Sequence, residues 1–135
     1  MSDTIMNSLK RLERAGSEHS KAAEKLKQAT VDVAGTIARI LHETGITADG
    51  LGGVQLPGRI GYTWFEGPVL EMYSEDSVET LSAEPSRAAC LAFAEALAGG
   101  WLDELAGWLE QQTDKDEAAR EHIEQAAAKL AEERR

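Results

Sequence analysis

The chain has 135 residues, of which 42% are hydrophobic and 28% charged, the composition of an ordinary globular protein of single-domain size. Its formal net charge is −10 at pH 7. Residues 1–45 contain seven Lys or Arg and six Asp or Glu, whereas residues 46–135 contain seven and eighteen. Because this acidic field repels phosphates, we expect no nucleic acid and no membrane partner, and a basic protein surface is favoured.

Cys90 is the only cysteine of the sequence. A single cysteine excludes an intramolecular disulfide and a Cys-based metal cluster, and its apolar neighbours predict a buried small side chain. The first residues lack the basic start and apolar core of a signal peptide, and no apolar run approaches the roughly 18 residues of a membrane span. We therefore expect a cytoplasmic protein.

A heptad pattern runs through the first forty residues. Apolar or small residues recur at alternating spacings of four and three, which predicts one long helix over residues 1–44, about 60 Å in length at ~1.5 Å per residue. A break at Gly16-Ser17, with Ser17 capping a second helix, is the alternative. The seam consists of Ile5, Leu9, Leu12, Gly16, His19, Ala23, Leu26, Thr30, Val33, Ile37 and Ile40.

Glycine is concentrated in the next part of the chain, residues 45–81, and ends the helix near Thr44 and Gly45. Residues 47–58 are predicted to form a loop, with a short strand at residues 54–56 as an option. The three segments 59–65, 69–73 and 77–81 are rich in aromatic and β-branched residues, which is typical of strands. Their short connections predict a three-stranded antiparallel meander.

Residues 82–135 are predicted to be helical. A first helix opens at Ser82–Pro85 with a kink at Gly99-Gly100, and Asp114–Glu117 has the form of a capping box that starts a second helix. The predicted fold is therefore a single α+β domain over residues 1–135, in which two C-terminal helices pack on one face of the sheet.

No combination of residues indicates catalysis or a bound metal or cofactor. None of the three histidines, His19, His42 and His122, has a second ligand at helical spacing, so no metal site is expected. The segment Gly50–Gly53 lacks the Lys-Ser/Thr of a phosphate-binding loop. We expect a protein that is not an enzyme and needs no cofactor.

The long helix determines the functional hypothesis. A seam of about 60 Å exceeds what a short sheet and two shorter helices can cover, so we expect part of it to pack on another chain, most simply in a homodimer. The residues predicted for this interface are Ile5, Leu9, Leu12, His19, Leu26 and Val33.

The meander offers a second candidate surface. Strand alternation places Tyr62 and Trp64 on one face with Arg59 nearby, and these residue types dominate interface hot spots. The competing interpretation is that this face is simply the core. The protein would then be an adaptor, regulator or inhibitor that binds another protein.

A small-molecule binder or a small enzyme is the alternative function. An apolar pocket between sheet and helices would suit a hydrophobic ligand, with Arg59 or Glu71 as polar anchor. Its lining would be Tyr62, Trp64, Met72, Tyr73 and Trp101.

Overall fold

The computed structural model describes residues 3–46 and 53–134, and it has the predicted α+β composition. The chain divides into two compact units, Met1–Gly99 and Gly100–Arg135. The elements in chain order are α1 (Asp3–Glu43), β1 (Val54–Gln55), β2 (Ile60–Trp64), β3 (Pro68–Tyr73), β4 (Val78–Thr80), α2 (Arg87–Ala98) and α3 (Trp101–Glu133).

Helix α1 is continuous through Gly16, which confirms the long helix and contradicts the break at Gly16-Ser17. Its buried residues begin only at Thr30 and include Ile37 and Leu41. Every residue from Asp3 to Ala22 is exposed. The helix therefore anchors its C-terminal half in the first unit and presents its N-terminal half to solvent.

The sheet has four antiparallel strands in the order β1-β2-β3-β4, so the prediction of three strands was wrong by one. The additional strand is β1, which lies within the optional short strand at residues 54–56; Val54 pairs with Tyr62 and Gln55 with Gly61. Two residues are too few to show a strand periodicity, and only pairing with β2 makes them a strand. The predicted loop over residues 47–52, including most of the Gly50–Gly53 segment, lies outside the described residues.

One face of the sheet forms the core of the first unit. The β2–β3 register pairs Ile60 with Met72 and Tyr62 with Leu70, and all four side chains are buried. Helix α1 packs against β3, and α2 packs against α1. The sequence predicts that C-terminal helices cover the sheet, whereas in the structure α1 itself lies on β3.

Helix α2 begins at Arg87, several residues after the predicted start at Ser82–Pro85. The hydroxyl of Ser86 accepts a hydrogen bond from the Ala89 amide at 3.2 Å and donates one to Glu79 Oε2 at 2.8 Å. The helix starts here because a carboxylate of β4 holds its N-cap residue in place.

Helix α3, in the second unit, is continuous from Trp101 to Glu133, so the predicted helix start at Asp114–Glu117 was wrong. The two C-terminal helices are instead separated at Gly99-Gly100, where Gly100 has a left-handed φ of 89° that glycine adopts without steric cost. At the predicted start the Thr113 hydroxyl donates to the Leu109 carbonyl, and the backbone simply continues as helix. A capping-box sequence starts a helix only where the preceding chain leaves the helical conformation.

Candidate functional site

The exposed half of α1 carries a line of large apolar side chains. Ile5 is 49% exposed, Leu9 is 47% exposed and Leu12 is 67% exposed. They lie four and three residues apart and therefore on one face of the helix. We call these three residues the N-terminal stripe. Their alignment on one helix face distinguishes them from singly scattered apolar surface residues, which need no explanation.

Farther along α1, an apolar groove separates this helix from α2. Its volume is about 160 Å³. The Thr30 hydroxyl donates a hydrogen bond to the Leu26 carbonyl at 2.8 Å, so the hydroxyl hydrogen is already used within α1. The groove is lined by Leu26, Ala29, Thr30 and Val33 of α1 and by Cys90, Phe93, Ala94 and Leu97 of α2.

The groove lies farther along the heptad seam that begins with the stripe. Leu26 and Val33 continue the seam that begins with the stripe, at the same alternation of three and four residues. Leu26 is half-buried and Val33 is 40% exposed. Of the six residues predicted for the oligomer interface, Ile5, Leu9, Leu12 and His19 lie on the exposed half of the helix, and Leu26 and Val33 line the groove.

The residues predicted for partner binding on the sheet are divided between core and surface. Tyr62 is fully buried, and burial raises the pKa of its phenol above the ordinary 10.0. Trp64 is 52% exposed, and its ring centroid lies 5.2 Å from that of His42 in the last turn of α1. Arg59 is exposed. The structure therefore leaves Arg59 and Trp64 accessible to a partner and places Tyr62 in the core.

The opposite face of the sheet holds a pair of titratable side chains. Glu71 and Tyr73 are both half-buried, and the Tyr73 ring lies over Gly61. Burial raises the pKa of Glu71 and, together with the negative charge of Glu71, that of Tyr73. Because Tyr73 faces away from Tyr62 and Met72, strand alternation separates three of the residues that would have lined the alternative pocket.

The structure brings no group together that is arranged for metal binding. Among residues 3–46 and 53–134, no cluster of three or more His, Cys, Asp or Glu side chains could hold a metal ion. Cys90 is buried, as its apolar neighbours predict. None of the described helices combines the length and apolar character needed to cross a membrane.

In the second unit, α3 also carries an exposed apolar stripe. Ile123 is exposed, as is Leu130, and Ala119 and Ala126 complete the predicted line of small and apolar residues. The flanking residues are mainly acidic, including Glu121 and Glu124. The apolar residues of α3 are spaced like those of the N-terminal stripe, but the charges of the residues that flank the two stripes differ.

The groove between α1 and α2 was missed by the sequence analysis. The signal that could have found it is the pair of Ala29 and Ala94, which are small residues on the facing sides of the two helices. The His42–Trp64 contact was missed as well, since it joins the end of a helix to a strand separated from it by a loop. Comparison of the chain with protein-family models, with curated proteins and with solved structures found no match.

Proposed function

We propose that this protein is a non-catalytic interaction module that self-associates through the exposed side of α1. The observation that carries the proposal is the N-terminal stripe on a helical segment whose residues from Asp3 to Ala22 are all exposed. A helix of about 20 residues is only marginally stable in water without packing of an apolar face. Association with a second chain supplies that packing.

The remaining surface supports a role as an adaptor, regulator or inhibitor of a basic protein. Residues 46–135 carry eighteen acidic and seven basic residues, a charge that attracts a positively charged surface. Arg59 and the exposed edge of Trp64 supply side chains of the types that anchor protein interfaces. A reducing cytoplasm is compatible with the free thiol of Cys90.

The size of the groove favours a side chain over a small-molecule ligand as its occupant. Sites for drug-sized ligands usually measure about 300–1,000 Å³. The groove measures about 160 Å³. That volume is close to an apolar cavity of about 150 Å³ that holds a single benzene ring. The alternative of a small-molecule binder therefore has less support here than the interaction module.

Light scattering over a range of protein concentrations tests the proposal. A mass near twice 14.6 kDa that persists on dilution supports self-association. A mass of one chain throughout the high micromolar range would contradict it. In the second case the exposed stripe would have to be reserved for a different protein.

A further inference from the structure

We propose that two copies pair through antiparallel α1 helices centred between Ser17 and Glu18, and that Ile5 of each copy enters the α1–α2 groove of the other while Leu9 packs on Leu26 at its edge. The inference rests on the proposed self-association and specifies its geometry. It starts from a property of the seam: its positions from Ile5 to Thr30 are symmetric about that centre. In an antiparallel pair the facing residues are Ile5 and Thr30, Leu9 and Leu26, Leu12 and Ala23, and Gly16 and His19.

A two-fold symmetric interface requires each residue to meet a complementary residue of the other copy, and this register meets the requirement. The exposed large residues Ile5 and Leu12 face the smaller Thr30 and Ala23. At the centre, Gly16 gives room to His19. Three of the four facing pairs thus combine a larger with a smaller side chain, as in well-packed cores, and the fourth pairs Leu9 with Leu26.

One flank of the seam consists of small residues. Ala15, Ala22 and Ala29 recur at intervals of seven, and a Cβ added at Gly16 meets no atom within 4 Å. In the proposed register Ala15 of one copy lies beside Ala22 of the other, and Ala29 lies beside Ser8. Small side chains on this flank allow the two helix axes to approach at the short end of the usual 8–10 Å.

The groove lies where the N-terminus of the second helix arrives. Leu26 and Thr30, which line it, are the residues that face Leu9 and Ile5 in this register. Its lining is almost entirely apolar, and its volume of about 160 Å³ suits a branched aliphatic side chain. A parallel pair would instead align each residue with its own copy and place Ile5 and Leu9 far from the groove.

Charge on the other flank also favours the antiparallel orientation. Helical side chains tilt toward the N-terminus of their own helix. In an antiparallel pair, Glu13 of each copy therefore leans toward Lys27 of the other, and the symmetry produces this contact twice. The ammonium of Lys27 lies 3.8 Å from Glu84 Oε1. The Lys27 side chain is partly exposed, so its ammonium can also reach a second carboxylate.

Distances between spin labels test the register. Lys10, Ser17 and Glu24 are exposed and share one helix face, and each is changed to cysteine separately in the full chain, in which Cys90 is kept because it is buried and lines the groove. At ~1.5 Å per residue, the proposed pair separates the two labels along the helix axis by about 20 Å at positions 10 and 24 and by about 2 Å at position 17. Pulsed electron paramagnetic resonance should therefore give the shortest distance at position 17.

The outcomes separate the register from self-association itself. Equal distances at the three positions would show a parallel pair, and a minimum at another position would show a different register. Either result overturns this inference while leaving the proposed function intact. A monomer by light scattering, without dipolar coupling between labels, would overturn both.

Filling the groove tests its occupant. Ala94→Phe places a ring in the groove, and Ala92→Phe is the matched control because Ala92 is exposed on the same helix outside the groove lining. We expect A94F to raise the dimer dissociation constant at least tenfold and A92F to change it less than twofold. Adding Ile5→Ala to A94F, which shortens the entering side chain, should restore part of the affinity. Unchanged affinity of A94F would show that the groove remains empty in the dimer.

Discussion

Replacing Leu12 with alanine gives the most direct test of the exposed stripe. The substitution removes three aliphatic carbons, which contribute about 2.4 kcal/mol when fully buried at ~0.8 kcal/mol each. Leu12 is 67% exposed in the single chain, so a dimer interface can bury about two-thirds of that amount. Each copy then loses about 1.6 kcal/mol and the dimer about 3 kcal/mol. At 1.4 kcal/mol per tenfold, the dissociation constant should rise by a factor on the order of 100.

Sedimentation equilibrium at several loading concentrations measures this dissociation constant. The control is Leu130→Ala, the same chemical change at a residue of α3 that is 57% exposed. We expect L130A to leave the dissociation constant within a factor of about two, and both variants to keep their free energy of unfolding as monomers within about 0.5 kcal/mol. A dissociation constant of L12A within threefold of the parent would refute the assignment of the interface to α1. An effect of L130A as large as that of L12A would instead assign the interface to the stripe of α3.

Four further substitutions test the packing of the first unit by urea unfolding. Tyr62→Phe should leave stability unchanged or raise it by about 1 kcal/mol at pH 7, because the buried hydroxyl has no hydrogen-bond partner among the described residues. Burial raises the pKa of Tyr62, so above pH 10 the tyrosine of the unfolded chain loses its proton before that of the folded chain. The parent protein therefore loses stability as the pH rises, and the stability difference in favour of Y62F should grow. Gly61→Ala should cost about 1–3 kcal/mol because its Cβ would collide with the Tyr73 ring, whereas Gly35→Ala, with open space around it, should add up to ~1 kcal/mol. Ser86→Ala removes the cap of α2 and should cost about 1 kcal/mol.

The long helix could be predicted from the sequence because its heptad repeat is regular over many turns and ends at a glycine. The repeat does not show which of its residues are buried. In the structure, the seam residues Thr30 and Ile37 are buried together with Ala34 and Leu41, which lie beside the seam, whereas the seam residues Val33 and Ile40 are exposed. Which residues of α1 are buried depends on packing against a strand that is distant in sequence, and the spacing of apolar residues along the helix does not reveal this packing.

The errors in the other elements have a similar origin. Strand β1 exists because Val54 and Gln55 pair with β2, and a two-residue segment has no periodicity of its own. Residues Asp114–Glu117 do have the pattern of a capping box. The chain before them is already helical from Trp101 onward, however, so no helix starts at Asp114. Local signals therefore placed helices in the right part of the chain and misplaced their boundaries.

The candidate site shows the same limit. Its α1 half could be predicted from the spacing of Ile5, Leu9 and Leu12 alone. The groove could not, because it depends on how α2 lies against α1 after more than forty intervening residues. For the sheet, the sequence left two interpretations of Tyr62 and Trp64 open, and the structure divides the pair between core and surface.

The distribution of burial along α1 explains why self-association is the favoured interpretation of this surface. The C-terminal half of the helix is supported by β3 and α2, whereas the half from Asp3 to Ala22 is exposed on all sides. Gly16 lowers the helix propensity of that half by about 1 kcal/mol relative to alanine, so the segment is helical against a local cost. A small residue at the centre of a symmetric pair is useful only where another helix approaches closely, and the same residue is a defect in a helix that faces water. Gly16, the flanking alanines and the exposed stripe thus have one common explanation in the proposed second helix along this side of α1.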